Sequence, residues 1–432
     1  MRARILQGEL KYMQHFVNRE AELKLIDQAT EALLDKQRLL RTPIVEFYGV
    51  EGIGKTTLLQ AIEKQCQLKH VECLRTDPRE PLLDQCFSDA KVLAKKKPVV
   101  VILDALDTAN QQQLRNIETG LKSLIEESKL FVVLASRKMK RFDNTRAIAY
   151  KLTFFPLQPL TRESCDRYFA SKGLADPKQR NLIFDWTHGY PLAMHVMIEA
   201  LQHQPLDPQQ EHDQKQLMAI IGEEVIDKKL LARVLATDLP WYHKMLTLLS
   251  VPRRFNLIMM QDLIERFARE YKLDSSLEYI NLPNRINQPG EVISWHIAHS
   301  GYSIDEPIRH VFLKKLQIED MQKYKEVHKF LADLNEHYAK QVTGADRILY
   351  LQELFYHQAQ SRRESFPTIF EQDMRQIIEE VPGEEVIILL DQLLQDEEIK
   401  VWLGQEYERI AEQLRGTLAQ KGIDSYVDPT DY

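Results

Sequence analysis

The sequence predicts an α/β domain, a parallel sheet flanked by helices, followed by a helical lid, a winged helix and an all-α C-terminal region. Three observations predict it. Gly49-Val50-Glu51-Gly52-Ile53-Gly54-Lys55-Thr56-Thr57 fits G-x-x-x-x-G-K-[ST] between a strand-like run, Ile44 to Tyr48, and a helix-like run, Thr56 to Lys64; strand, glycine loop, helix is the phosphate-binding arrangement. Val99 to Leu103 and Leu130 to Leu134 are continuous apolar runs, suited to strands buried on both faces. From Thr161 onward apolar residues recur at helical spacing.

A chain of 432 residues has room for roughly two to four domains. Its hydrophobic and charged fractions, 44% and 28%, are those of an ordinary globular protein. The net charge, 57 − 64 = −7, gives no global argument for nucleic acid or an anionic membrane as partner. The four cysteines show neither C-x-x-C spacing nor a histidine-rich metal pattern, which predicts buried thiols in a reducing compartment. No apolar run approaches the ~18 residues of a membrane span, and no apolar signal segment follows Met1. A cytoplasmic protein is expected.

In order along the chain, Leu23, Ile26, Ala29, Leu33 and Leu34 mark an amphipathic helix within 16–36. After the glycine loop and its helix, Val71 to Leu74 is a second strand, and Pro98 introduces a third, Val99 to Leu103. A polar-faced helix covers 109–127, then come the strand at Leu130 and a last strand, Ile148 to Phe155. Such alternation implies parallel strands with right-handed crossovers and a ligand at their carboxyl ends. Thr161 caps a helix over 162–171, and Asp176-Pro177 opens another over 177–187. A helix over 191–203 follows, and Pro205 to Gln214 reads as a hinge. Helices near 240–250, 257–271 and 275–282, the last stopped by Pro283, precede β-like runs Glu291 to His296 and Tyr302 to Ile304 around a turn at His299-Ser300-Gly301. That is a winged-helix pattern. The remainder is helical, with Val327, Leu331, Leu354, Leu390 and Leu394 at heptad-like positions. The expected domains are 1–158 for the phosphate-loop domain, 159–210 for the lid, 211–315 for the winged helix and 316–432 for the C-terminal helices.

The chemistry follows from the loop. Gly49, Gly52 and Gly54 let main-chain N–H groups curl around an anion, and the helix beginning at Thr56 adds its positive end. Lys55 is expected to reach the β- and γ-phosphates of ATP, and Thr56 to hold Mg²⁺. Leu103-Asp104-Ala105-Leu106-Asp107 ends an apolar strand in carboxylates; Asp104 is the expected Mg²⁺ acid and Asp107 the group that activates water. Arg137, after Ser136 at the next strand end, can pair with a γ-phosphate and register its presence. Pro191 in Gly189-Tyr190-Pro191-Leu192-Ala193 offers an apolar surface to a base at a helix start.

Together these motifs resemble the STAND class of signalling P-loop NTPases, which includes the NB-ARC and NACHT proteins, over about Phe16 to Leu316. Phe16-Val17-Asn18-Arg19-Glu20 is similar to the F-V-G-R-E adenine-side entry, with Asn18 in place of glycine. Gly49 to Thr57 is close to G-x-G-G-x-G-K-T-T, with Glu51 replacing a glycine. Ser136-Arg137 resembles the end of the sensor strand, and Gly189 to Ala193 resembles G-L-P-L-A, whose proline stacks near adenine. The resemblance implies a nucleotide pocket of Phe16, Val17, Asn18, Arg19, Ile53, Thr57, Pro191 and Leu192 with the loop residues. Asp104-Ala105-Leu106-Asp107 is nearer the NACHT acid pattern than the NB-ARC one, which implies slow hydrolysis. Asp305 stands where the class has a histidine at the β-phosphate of ADP, and an acid there weakens an ADP-locked state.

The leading expectation is an ATP/ADP-dependent switch that binds nucleotide with Mg²⁺ and hydrolyses it slowly. The resemblance implies self-association in the ATP state and a protein partner or effector chain at the C-terminal helices. The alternatives are a winged-helix DNA-binding ATPase of the replication-initiator type and a scaffold that merely retains nucleotide. Nucleic acid is not expected, because the candidate recognition helix, Asp274 to Leu282, has no lysine or arginine.

Overall fold

The computed structural model describes residues 19–422, apart from 36–39, 81–82, 128, 141, 143–145 and 297–300. The chain divides into two compact units. One is Met1–Ala236 with Asn287–Val292 and Asp305–Val311; the other is Thr237–Ile286 with Ile293–Ile304 and Phe312–Tyr432.

In the first unit, β1 (Ile44–Tyr48), β2 (Glu72–Thr76), β3 (Val99–Leu103), β4 (Leu130–Ser136) and β5 (Leu152–Pro156) form one sheet in the order β2-β3-β4-β1-β5. Every pair is parallel. β3 and β4 are buried along their whole length, as their unbroken apolar sequences require. The sequence of the unit supplies the covering helices α1 (Glu20–Leu34), α2 (Lys55–Leu68), α3 (Leu83–Ala94) and α4 (Gln111–Leu124). At the start of α4, the Asn110 side chain accepts from Gln113 N–H while the Gln113 side chain accepts from Asn110 N–H, so two otherwise unpaired donors are satisfied at once.

One strand differs from expectation. Arg146–Ala149 is a single helical turn and the strand begins only at Leu152. Ile148 is buried from that turn, so its apolar side chain reports packing without extended backbone. Beyond the sheet come α5 (Arg162–Ser171), α6 (Pro177–Thr187), α7 (Pro191–His203) and α8 (Glu211–Ile221), the last continuing as a π-helix, Gly222–Leu230. Side chains of Thr161 and Asp176 accept from Ser164 and Lys178 N–H, and Pro177 and Pro191 occupy first-turn positions, where a missing N–H costs nothing.

The second unit opens with α9 (Leu239–Leu249) and α10 (Leu257–Phe267). α11 (Ser276–Gly290), whose residues from Asn287 on belong to the first unit, runs through Pro283 instead of stopping there. Tyr279, Leu282 and Ile286, at helical spacing, are all buried, and burying that face offsets the ~3 kcal/mol an interior proline costs. β6 (Ile293–His296) and β7 (Gly301–Ile304) pair antiparallel; the expected turn between them, at His299 and Ser300, lies outside the described residues. Helices α12 (Glu306–Glu319), α13 (Met321–Ala339), α14 (Gly344–Ser361), α15 (Phe366–Glu380), α16 (Gly383–Gln395), α17 (Glu397–Leu403) and α18 (Tyr407–Gln420) complete the chain. Their core centres on Phe355, Phe366, Phe370, Leu389, Leu390 and Leu414. Among the described residues no helix is long and apolar enough to cross a membrane.

Candidate functional site

Parallel strands put the ends of β1, β3 and β4 at one side of the sheet, and the site is built there. Register aligns Tyr48 with Ser136 and Leu103 with Leu134, so the loop after β1, Asp104 and Arg137 emerge together. Gly52 has φ +75° and faces α7: a Cβ there would lie 2.5 Å from the Leu192 Cβ and 3.0 Å from the Tyr190 hydroxyl. Gly54, at φ +100°, turns the chain into α2 beside open space. The loop is tied on three sides. Lys55 Nζ donates to the Gly49 and Val50 carbonyls at 2.7 and 2.9 Å. The buried Tyr190 hydroxyl donates to the Glu51 carbonyl. Arg19 donates to the carbonyls of Ile53 (3.1 Å) and Gln158 (2.8 Å).

Above the loop lies a cavity of about 740 Å³, within the range of small-molecule sites. Arg19, Gly52, Ile53, Gly54, Lys55, Thr56, Thr57, Asp104, Asp107, Arg137, Pro191 and Leu192 line it. Gly49 sits beneath, against Ile53 and Leu157. Phe16, Val17 and Asn18 lie outside the described residues. Asp305 is not a lining residue; it serves the backbone where 292 meets 305, donating to the Val292 carbonyl at 2.9 Å, with Lys138 as an electrostatic neighbour. The expectation of an acid at a phosphate is therefore not met.

The charged groups form one connected array. Thr56 Oγ1 is 3.4 Å from Asp104 Oδ2, near the ~3 Å between adjacent oxygens around a small divalent cation, so this hydroxyl and carboxylate fit Mg²⁺. Arg75, at the end of β2, holds the same Asp104 oxygen at 2.7 Å and approaches Glu63 at 3.8 Å. Arg137 is held on both sides, by Glu51 at 2.7 Å and Asp107 at 3.2 Å, and donates to the Pro289 carbonyl at 3.4 Å. Burial pushes the Lys55 ammonium below the usual lysine range, with Glu51, Asp107 and Asp104 pulling it back up and Arg137 adding to the fall.

Sequence reasoning missed Arg75, Arg79, Tyr168, His195 and Arg233, the last four of which line the cavity. Two left a signal. His195 follows Pro191 by four residues on α7 and so shares its face. Arg75 is the last residue but one of the strand beside the one that delivers Asp104. Nothing in local sequence marks Arg233, which arrives from beyond a π-helix.

A glycine loop at a helix N-terminus, a half-buried lysine, a hydroxyl–carboxylate pair and a strand-end arginine define a P-loop nucleotide-binding module. Residues 45–151 match the family described as the ATPase family associated with various cellular activities (AAA). Among solved structures the chain is similar to the Thermotoga maritima RuvB Holliday junction branch migration motor, at 14% identity over 67% of this chain and 93% of that one, TM-score 0.38. Cdc6p from Pyrobaculum aerophilum gives 13% identity over 70% and 93%, TM-score 0.35. AMPPCP-bound DnaA from Aquifex aeolicus gives 14% over 63% and 90%, TM-score 0.38.

Proposed function

We propose that the chain is an ATP/ADP-dependent molecular switch of the STAND type, with residues 159–210 as lid, 211–315 as winged helix and the C-terminal helices as the part that meets a protein partner. One observation carries this reading: Arg137 is shared between Glu51 of the phosphate loop, Asp107 after β3 and the Pro289 carbonyl. A γ-phosphate offers Arg137 a stronger partner than either carboxylate. Taking the arginine would release Asp107 and the backbone at Pro289, so the far end of the nucleotide is felt at segment 287–292.

In this reading Thr56 and Asp104 hold Mg²⁺, whose charge screens the phosphates when bound. Lys55 leaves the Gly49 and Val50 carbonyls for the β- and γ-phosphates. Pro191 and Leu192 pack the base side, and Arg19 keeps the loop in shape by bracing Ile53 against Gln158. Asp107 orients water and takes its proton only after Arg137 lets go, which makes turnover slow.

The test is nucleotide retention together with mass in solution. Wild-type protein is expected to copurify with adenine nucleotide and to change assembly state between ADP and a non-hydrolysable ATP analogue. Lys55→Ala is expected to lose the nucleotide; retention equal to wild type sinks the reading.

DNA binding is the second reading. The DNA complex of the Aeropyrum pernix Orc1 protein is among the similar structures, and its TM-score of 0.38 carries no weight for DNA here. What favours this reading is α11, which runs on past Pro283 and so includes Arg285. That guanidinium stacks on Trp241 at 4.0 Å, which favours a structural use. A salt titration of duplex DNA binding separates the two, a steep slope supporting DNA.

A further inference from the structure

Between the phosphate-loop helix and the edge of the sheet two thiols lie side by side. The chain leaves α2 at Leu68 and reverses through His70, whose φ of 56° is the left-handed turn conformation. The Val71 N–H then donates to the Cys66 carbonyl at 2.9 Å, which brings the start of β2 back against the last turns of α2. Strand alternation puts Cys73 and Arg75 on one face of β2, and a three-residue step puts Glu63 and Cys66 on one face of α2. The two faces meet in register. Arg75 approaches Glu63 at 3.8 Å, and Cys66 and Cys73 are the facing pair between that contact and the Val71–Cys66 backbone bond.

The two sulfurs differ in setting. Cys66 is fully buried, while Cys73 is half-buried on β2, the strand at the sheet's edge. Its neighbour Cys73 pulls the Cys66 thiol below its usual range, helped by Lys69, while the Cys73 thiol is pushed above it by Cys66 and by burial. The other two cysteines are in protective surroundings: burial pushes Cys165 up to about 12 and also raises Cys86. Thiolate character and access decide which thiols oxidise, and here the lowered thiol faces a half-buried neighbour at the sheet's edge.

We propose that Cys66 and Cys73 form a reversible disulfide, a modification site that staples the phosphate-loop helix to edge strand β2. With hydrogen peroxide as oxidant the step balances. Sulfur of Cys66, the thiol lowered by its neighbour, attacks one peroxide oxygen, the O–O bond breaks, and water leaves with the thiol proton, giving Cys66–SOH. Cys73 sulfur then attacks Cys66 sulfur, the S–O bond breaks, and a second water carries off the Cys73 proton. Each sulfur has given up one electron and the peroxide has taken two. A dithiol reductant reverses the link by exchange.

The test uses the intact purified chain, titrated with hydrogen peroxide, alkylated and digested with trypsin without reduction. Cleavage after Lys64, Lys69 and Arg75 separates the two cysteines, so the link appears as one species joining Gln65–Lys69 to His70–Arg75. That species is expected at peroxide doses that leave Cys86 and Cys165 open to alkylation, and dithiothreitol is expected to remove it. Cys73→Ser is expected to abolish it. Lys55→Ala protein is expected to form it as wild type does, so failure of the nucleotide reading leaves this result untouched. Alkylation of both Cys66 and Cys73 at doses that already oxidise Cys86, or their conversion to sulfinic acids without a link, overturns the proposal.

Discussion

Ser136 has one hydroxyl proton and two neighbours within reach of it. Its Oγ lies against Glu46 Oε1 and 2.7 Å from the Lys138 carbonyl. Both neighbours accept from the serine hydroxyl, and Lys140 N–H donates to the same Glu46 oxygen at 3.0 Å. Glu46 is wholly buried in β1, and burial raises it to about 7 against the bonds from Ser136 and Lys140 that lower it. From about pH 4.5 to 7 the folded chain keeps a proton that the unfolded chain has released. Stability is therefore greatest below that window and falls as pH rises through it, by on the order of 3 kcal/mol. Glu46→Gln, which needs no proton, is expected to flatten the difference between urea midpoints at pH 5 and pH 7.5; an unchanged difference refutes the assignment. Next in sequence, Arg137 supports a second prediction. Glu51→Gln removes its 2.7 Å partner and is expected to raise affinity for an ATP analogue relative to ADP by about tenfold, read by calorimetry. If the ratio of the two affinities stays at the wild-type value, Arg137 does not report the γ-phosphate.

At the scale of elements, the sequence announced what is periodic and local. The phosphate loop, the buried strands and the proline-led helices are each specified by residues within a few positions of one another, so they could be read. α3 could not: Cys86, Phe87, Ala90 and Ala94 lie among charges in a stretch with little contrast between faces, and its packing settles the matter. Phe87 comes down onto α4 at Gly120, where a Cβ would sit 2.3 Å from the ring. That glycine is there for helix approach, since it has ordinary helical backbone. Gly120→Ala is accordingly expected to force the ring aside and destabilise the sheet domain by about 1–3 kcal/mol, measured by thermal unfolding. A neutral or stabilising result means the two helices have room to part. The site was legible to the same extent: Lys55, Thr56, Asp104, Asp107 and Arg137 share one cavity because each ends or follows a recognisable strand. Arg75 and Glu46 escaped because their partners, Asp104 and Ser136, come from distant parts of the chain.

For the whole molecule, a net charge of −7 conceals how charge is spent locally. In the second unit Arg253 gathers three carboxylates, Glu353 at 3.0 Å, Asp396 at 2.5 Å and Glu398 at 3.8 Å, and lies over the Tyr356 ring at 4.5 Å. Burial alone would lower its guanidinium, but the three acids outweigh that and raise it. Part of the acidic run around Asp396 is the counter-charge for an arginine more than a hundred residues earlier. Removing the cation leaves Glu353, Asp396 and Glu398 facing one another in half-buried surroundings, which costs more than the pairing itself contributes. Arg253→Ala is thus expected to destabilise the second unit by about 2–4 kcal/mol, with faster amide exchange in α14, α16 and α17 and unchanged exchange in β1 and α2. Uniformly faster exchange would mean that the two units unfold together and that Arg253 serves the chain as a whole. No acceleration in α14 would mean that the three carboxylates tolerate one another without it.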